Sequence, residues 1–101
     1  MNINITEEGN TITAVFDGRL DTVAAQQIAE TIDPLLQHAD QNIILDCGKM
    51  PFISSSGLRI FLKIRKEMSA KGGKVLLKHI CPDVQQVFKM TKLDDLFETI
   101  G

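Results

Sequence analysis

The chain has 101 residues, 44% of them hydrophobic and 24% charged, with five Phe, no Tyr, no Trp and a formal net charge of −2. These values describe one globular domain with an aliphatic core, and neither a disordered tail nor a second domain is expected. A slightly acidic chain with interspersed lysines and arginines lacks the basic patch of a nucleic-acid binder, so nucleic acid is not expected as a partner.

The opening residues, Met1-Asn2-Ile3-Asn4, carry no basic region and no long apolar stretch. Neither a signal peptide nor a membrane span is expected, and the reading is a cytoplasmic protein without membrane insertion. Ile3 and Ile5 alternate with polar residues, and Gly9-Asn10 is a turn signal. Thr11 to Phe16 then reads as a strand with Ile12, Ala14 and Phe16 on one face, which makes a hairpin ended by Asp17-Gly18. Asp21 is a plausible helix N-cap, with Thr22 next to it. Leu20, Ala24, Ile28, Ile32 and Leu35 recur at helical spacing, and Pro34 inside that pattern predicts a kink or short break near Asp33.

Ile43-Ile44-Leu45 is a short apolar run suited to a central parallel strand covered on both faces. Asp46 to Phe52, with Gly48 and Pro51, reads as a loop. After Ser54-Ser55-Ser56-Gly57 comes an amphipathic helix. Leu58, Phe61, Leu62, Arg65 and Met68 keep the helical spacing, and Ile60 and Ile64 widen the apolar face until Gly72-Gly73 stops it. Val75-Leu76-Leu77 is the next buried strand. Pro82 suits the first position of a third helix lined by Val84, Val87 and Phe88. Leu93, Leu96, Phe97 and Ile100 finish the core in a short terminal turn or strand. The fold class is therefore α/β, a single domain over 1–101. Its mixed sheet has four to five strands, mostly parallel after the hairpin, and three to four helices packed mainly on one face.

Catalytic signatures are missing. Cys47 and Cys81 form no CxxC pair and no metal cluster with His38 or His79, and both read as buried or half-buried free thiols suited to a reducing compartment. There is no Gly-x-Ser-x-Gly elbow, phosphate loop or dinucleotide fingerprint, and neither histidine has a spacing that points to a triad. No catalytic residue, metal or cofactor is expected.

The informative segment is Phe52-Ile53-Ser54-Ser55-Ser56-Gly57-Leu58, between a strand and a strongly amphipathic helix. One serine suffices to cap the free N–H groups of a helix start. Three in a row, closed by Gly, also make a place where a phosphate is tolerated, because a helix N-terminus carries partial positive charge. Phosphorylation there adds roughly −1.5 to −2 charge and would expel a partner reading that surface with acidic or apolar groups. Local chemistry leaves capping and switching both open.

Two motifs carry a resemblance: Phe16-Asp17-Gly18-Arg19-Leu20-Asp21, and Ile43-Ile44-Leu45-Asp46 followed by the serine segment. Gly72-Gly73-Lys74-Val75 leading to Pro82-Asp83-Val84 and Phe88 is a weaker third. In this order and spacing, across nearly the whole chain, they resemble the STAS domain of the anti-sigma factor antagonist group. The resemblance implies a switch that, unphosphorylated, binds a kinase-type anti-sigma factor and frees the sigma factor. It further implies that this partner phosphorylates a serine at the start of the second helix and that a PP2C-type phosphatase reverses it. The group's pattern is Asp-Ser-Ser-Gly, with the modified serine two places before Gly. It maps the acceptor to Ser55 and the second serine to Ser56. Ser54 stands where the group has Asp, which removes a carboxylate beside the acceptor and makes Ser54, like Ser56, an alternative site. Asp21 matches the acidic residue of the first motif, read either as a contact to a basic partner group or as a helix cap. Thr22, Ser54, Ser55, Ser56, Gly57 and Arg59 complete the expected partner-contact set, Gly57 by permitting close approach of its backbone to a helix or to the partner, with a simple turn preference as the other reading. Arg59 is otherwise a solvated residue, while Leu58 and Phe61 belong to the core. A monomer is expected when the protein is free. The alternative role is a stand-alone accessory subunit of a lipid-transport ABC complex or a stress-signalling assembly.

Overall fold

Period-two alternation sets the first hairpin. In the computed structural model, which describes residues 1–37 and 42–100, β1 (Asn2–Glu8) and β2 (Thr11–Asp17) pair antiparallel from Asn2↔Asp17 to Glu8↔Thr11. Gly9 opens the two-residue turn at φ +60°, a conformation glycine adopts without a Cβ penalty. The remaining elements are α1 (Thr22–Gln37), β3 (Asn42–Lys49), α2 (Ser55–Ala70), β4 (Val75–Lys78), α3 (Pro82–Met90), a single 3-10 turn (Asp94–Leu96) and β5 (Glu98–Ile100).

The sheet runs β1-β2-β3-β4-β5, with β2 to β5 parallel. Each parallel step is bridged by a helix. Right-handed crossovers that advance in one direction across a sheet deposit their helices on one face. Burial follows that rule. Ile12, Ala14 and Phe16 of β2, Ile43, Leu45 and Cys47 of β3, and Leu77 of β4 are buried. They share one core cluster with Ala24, Ile28 and Ile32 of α1, Phe61, Ile64 and Met68 of α2, and Val84 and Phe88 of α3. Phe61 is its centre, with its ring centroid 5.4 Å from Phe16, 6.1 Å from Phe88 and 6.4 Å from Phe97.

Four sequence expectations need correction. β3 is not covered on both faces: Ile44 and Leu76 point away from the helices and are half-buried. β3 also extends to Lys49, taking Asp46–Lys49 from the expected loop. Its residues simply continue the alternation, with Cys47 inward and Asp46 and Gly48 outward. α1 passes through Pro34 without a break. Pro34 and Glu30, whose carbonyl loses its intrahelical donor, both lie on the exposed side, where water can satisfy that carbonyl. Of the terminal apolar residues only Phe97 is buried. The 3-10 turn leaves Leu96 exposed, and Ile100 sits on a three-residue edge strand. The expected Leu35 side chain and His38 lie outside the described residues.

The cysteines divide as their positions dictate. Cys47 is fully buried, and Cys81 is half-buried ahead of α3. Burial first, then the Asp46 carboxylate and Cys81, push the Cys47 thiol from 9.0 up to about 12. Thiolate is the reactive form. Alkylation of the native protein at pH 8 should therefore modify Cys81 and spare Cys47 until the chain unfolds, as peptide mass mapping would show. The unfolded chain ionises this thiol near 9 while the folded chain keeps its proton. Stability should accordingly decline as pH rises from about 9 towards 12.

Among the described residues no helix is long and apolar enough to cross a membrane.

Candidate functional site

The two motifs, more than thirty residues apart in sequence, are joined by backbone hydrogen bonds. Beyond β2, Gly18 N–H donates to the Lys49 carbonyl at 3.0 Å, and Leu20 N–H donates to the Phe52 carbonyl at 3.0 Å. Ser54 N–H returns to the Leu20 carbonyl at 2.8 Å, and Leu20 and Ile53 form a parallel bridge. The segments leading into α1 and α2 therefore run side by side off the carboxyl ends of β2 and β3. Both helices start at this edge of the sheet, the usual place for a site in a parallel α/β fold.

Each start is capped by the residue that precedes it. Asp21 Oδ1 accepts from Ala24 N–H at 2.8 Å, and its carbonyl accepts from Ala25 N–H at 2.9 Å. Asp21 is thus the α1 cap, and its exposed carboxylate still presents charge at the surface. Ser54, at φ −90° and ψ 171°, caps α2: its Oγ accepts from Gly57 N–H at 3.2 Å and its carbonyl accepts from Leu58 N–H at 2.9 Å.

This geometry separates the three serines. Ser54 is half-buried and engaged in capping, and Ser56 is half-buried in the first turn. Ser55, the first residue of α2, is exposed. The N–H groups of Ser55 and Ser56 precede the first intrahelical bond and have no partner among the described residues. Ser55 is therefore displayed at an unsatisfied, positively polarised helix end.

Gly57 lies beneath this surface. It is buried, and a Cβ placed on it would lie 2.7 Å from Leu20 Cγ and 2.9 Å from Ile53 Cγ1. Its close approach is to the protein's own first motif, which it supports from beneath. Thr22 is exposed at the start of α1, and Arg59 is exposed one turn into α2.

The structure also brings residues to this edge that sequence reasoning passed over. Val23, in the first turn of α1, is 63% exposed. Phe52 is 36% exposed and lies under the Arg19 guanidinium, whose carbon is 4.3 Å from the ring centroid. An available signal was Val23 falling one place off the Leu20, Ala24, Ile28 stripe, which leaves an apolar side chain on the solvent side.

Elsewhere, His79 Nδ1 lies 3.4 Å from Asp46 Oδ1, which also accepts from Gly48 N–H at 3.0 Å. Among the described residues no serine hydroxyl is bonded to this pair, so it lacks the nucleophile that a triad needs. A surface cleft of about 410 Å³, lined in part by Arg65, Lys74, Asp95 and Glu98, includes no residue of either helix start. The candidate site is an open surface, suited to a macromolecule rather than an enclosed ligand.

The sequence model of the STAS domain matches residues 2–101. The chain belongs to the STAS domain family. This STAS protein is 26% identical over 99 residues to the anti-sigma-B factor antagonist of Bacillus subtilis (strain 168), covering 97% of this chain and 89% of that one. Its fold matches an anti-sigma-factor antagonist (STAS) domain protein from Planctomyces limnophilus with a TM-score of 0.89 at 22% identity, covering 98% and 88% of the two chains. It matches the Bacillus cell fate determinant SpoIIAA, an anti-sigma factor antagonist, at 24% identity. The TM-score is 0.78 to the unphosphorylated form, covering 99% and 88% of the chains, and 0.76 to the phosphorylated form, covering 99% and 92%. The structural likenesses carry the fold: five strands opened by an antiparallel hairpin and backed by three helices, as the sequence led one to expect.

Proposed function

We propose that this STAS protein is a cytoplasmic anti-sigma factor antagonist that binds a kinase-type anti-sigma factor when Ser55 is unmodified and releases it when Ser55 carries phosphate. The observation that carries the reading is the display of Ser55. Among the three adjacent serines it alone is exposed, at a helix end whose first amides are free. Around it lie the features of a docking surface. Val23 and Phe52 offer apolar contact, Asp21 offers a carboxylate to a basic partner group, and Thr22, Arg59 and the Ser54 and Ser56 backbone form the rim. The protein acts by association, without a reaction of its own, and a PP2C-type phosphatase restores the binding form.

Incubation with the cognate anti-sigma kinase and ATP should place one phosphate on Ser55, located by peptide mass spectrometry, and Ser55→Ala should abolish labelling. Label on Ser54 or Ser56, or undiminished label in Ser55→Ala, overturns the assignment. Recovery of a transport ATPase instead of an anti-sigma factor on the immobilised protein would refute the partner.

A further inference from the structure

The three arginines of the chain are used differently. Arg19 lies over the Phe52 ring. Arg65 donates through Nε to the Leu96 carbonyl at 2.6 Å. Arg59 is exposed and has no hydrogen bond, ion pair or ring contact among the described residues. On the same helix Lys63 is paired with Asp33 at 2.6 Å, while Lys66, about three turns further on than Ser55, is also without a partner among the described residues. An unengaged guanidinium is thus kept one turn from the displayed serine.

Its placement on α2 is specific. Ser55 and Arg59 are four residues apart and share a helix face. Helical side chains lean towards the N-terminus, so a residue covers the turn before its own Cα. The turn that Arg59 covers is the one Ser55 begins. The planar guanidinium presents paired donors that match two phosphate oxygens, and the free amides of Ser55 and Ser56 lie at the same helix end. The carboxylates at this edge are Asp17, at the end of β2, and Asp21, on the segment running beside Ser54, whose Oδ1 is already engaged by Ala24 N–H.

We propose that Arg59 clamps a phosphate on Ser55 within the same molecule, so that modification withdraws the guanidinium from the docking surface as well as adding negative charge there. This rests on Ser55 as the modified residue and deepens that reading. In the unmodified protein Arg59 is free to meet an acidic or carbonyl group of the anti-sigma factor. In the phosphorylated protein it is held by its own helix, and one modification removes an attraction while it adds a repulsion.

The test installs phosphoserine at position 55 by genetic incorporation in the full chain, in three backgrounds: Arg59, Arg59→Lys and Arg59→Gln. Phosphorus NMR across pH reads the second pKa of the phosphate, with Asp17, Arg19, Asp21, Lys49 and Arg59 as the charged groups at this edge. The expected result is a pKa about half a unit lower with Arg59 than with Gln. Lys should recover part of the shift, and the Arg59 Nε resonance should move on phosphorylation. The same pKa in the Arg59 and Gln proteins, or an unmoved Nε resonance, overturns the proposal. Because the phosphate is installed without a kinase, failure here leaves the labelling assignment standing, and failure of labelling leaves this result interpretable. Unphosphorylated Arg59→Gln should melt as wild type does, which separates a clamp from a role in folding.

Discussion

Phosphoserine at position 55 is expected to weaken binding of the anti-sigma factor about a hundredfold, and Ser55→Asp roughly tenfold, while Ser55→Ala binds as wild type does. The magnitude follows from like-charge or uncompensated charge at a desolvated contact, which costs several kcal/mol, where each 1.4 kcal/mol is tenfold in affinity. Phosphate brings about −1.5 to −2 charge and aspartate about −1 with less bulk, hence the graded effect. The second half of the expectation makes it discriminating. An anion at the start of α2 faces unpaired amides and the positive end of the helix, so phosphorylation should leave the melting temperature unchanged or slightly raised. Both the phosphorylated and the unphosphorylated form of SpoIIAA share the fold described here, so that protein keeps its architecture when modified. Calorimetric titration of the purified anti-sigma factor, paired with thermal melts of each variant, reads both quantities. An unchanged dissociation constant for phosphoserine 55 would remove the expulsion mechanism. Loss of binding together with loss of folded protein would show that the serine is structural.

The elements were legible where a period could be read. Alternating Ile3, Ile5 and Ile12, Ala14, Phe16 dictated the hairpin, and Leu58, Phe61, Ile64 and Met68 dictated α2. The failures have local causes. Ile44 made β3 look buried on both sides, although one half-buried isoleucine is ordinary on an open sheet face. Pro34 predicts a break through its missing donor, but it falls off the Leu20, Ala24, Ile28, Ile32 stripe, and on that exposed side the helix tolerates it. In the site, the serine cluster was visible but the division of labour within it was not. Capping depends on which residue takes extended backbone angles just before the helix, and at Ser54 that follows from the hydrogen bond its N–H gives Leu20. That bond joins residues 34 apart in sequence, a distance over which periodicity carries no information. The same pairing explains why the close approach expected at Gly57 could not be given its neighbour, a leucine from the other motif.

Gly57 therefore supplies a prediction whose sign separates packing from propensity. At an ordinary helical position Gly→Ala stabilises by about 1 kcal/mol, because glycine has more backbone freedom to lose on folding. At position 57 the added methyl would sit 2.7 Å from Leu20 Cγ and 2.9 Å from Leu20 Cδ2 and Ile53 Cγ1, inside van der Waals contact on two sides. Neither neighbour can readily move. Leu20 is fully buried, and its backbone N–H and carbonyl are both committed to the Phe52–Ser54 segment. Overpacking of this kind costs about 1–3 kcal/mol. Gly57→Ala should thus be net destabilising, by about 1 kcal/mol, and Gly57→Val by about 3 kcal/mol or more, as read by urea denaturation. The clash also has a direction. Relief requires the two helix starts to separate, which would shift Asp21 relative to Ser55. Gly57→Ala should then weaken anti-sigma binding even where it stays folded, although Gly57 itself is buried. Truncating the obstructing side chain tests the cause. In a Leu20→Ala background the Gly57→Ala penalty should shrink, with the contact to Ile53 Cγ1 at 2.9 Å left as the remainder, a coupling that a double-mutant cycle measures directly. Equal penalties in both backgrounds would mean that Leu20 is not what excludes a side chain there.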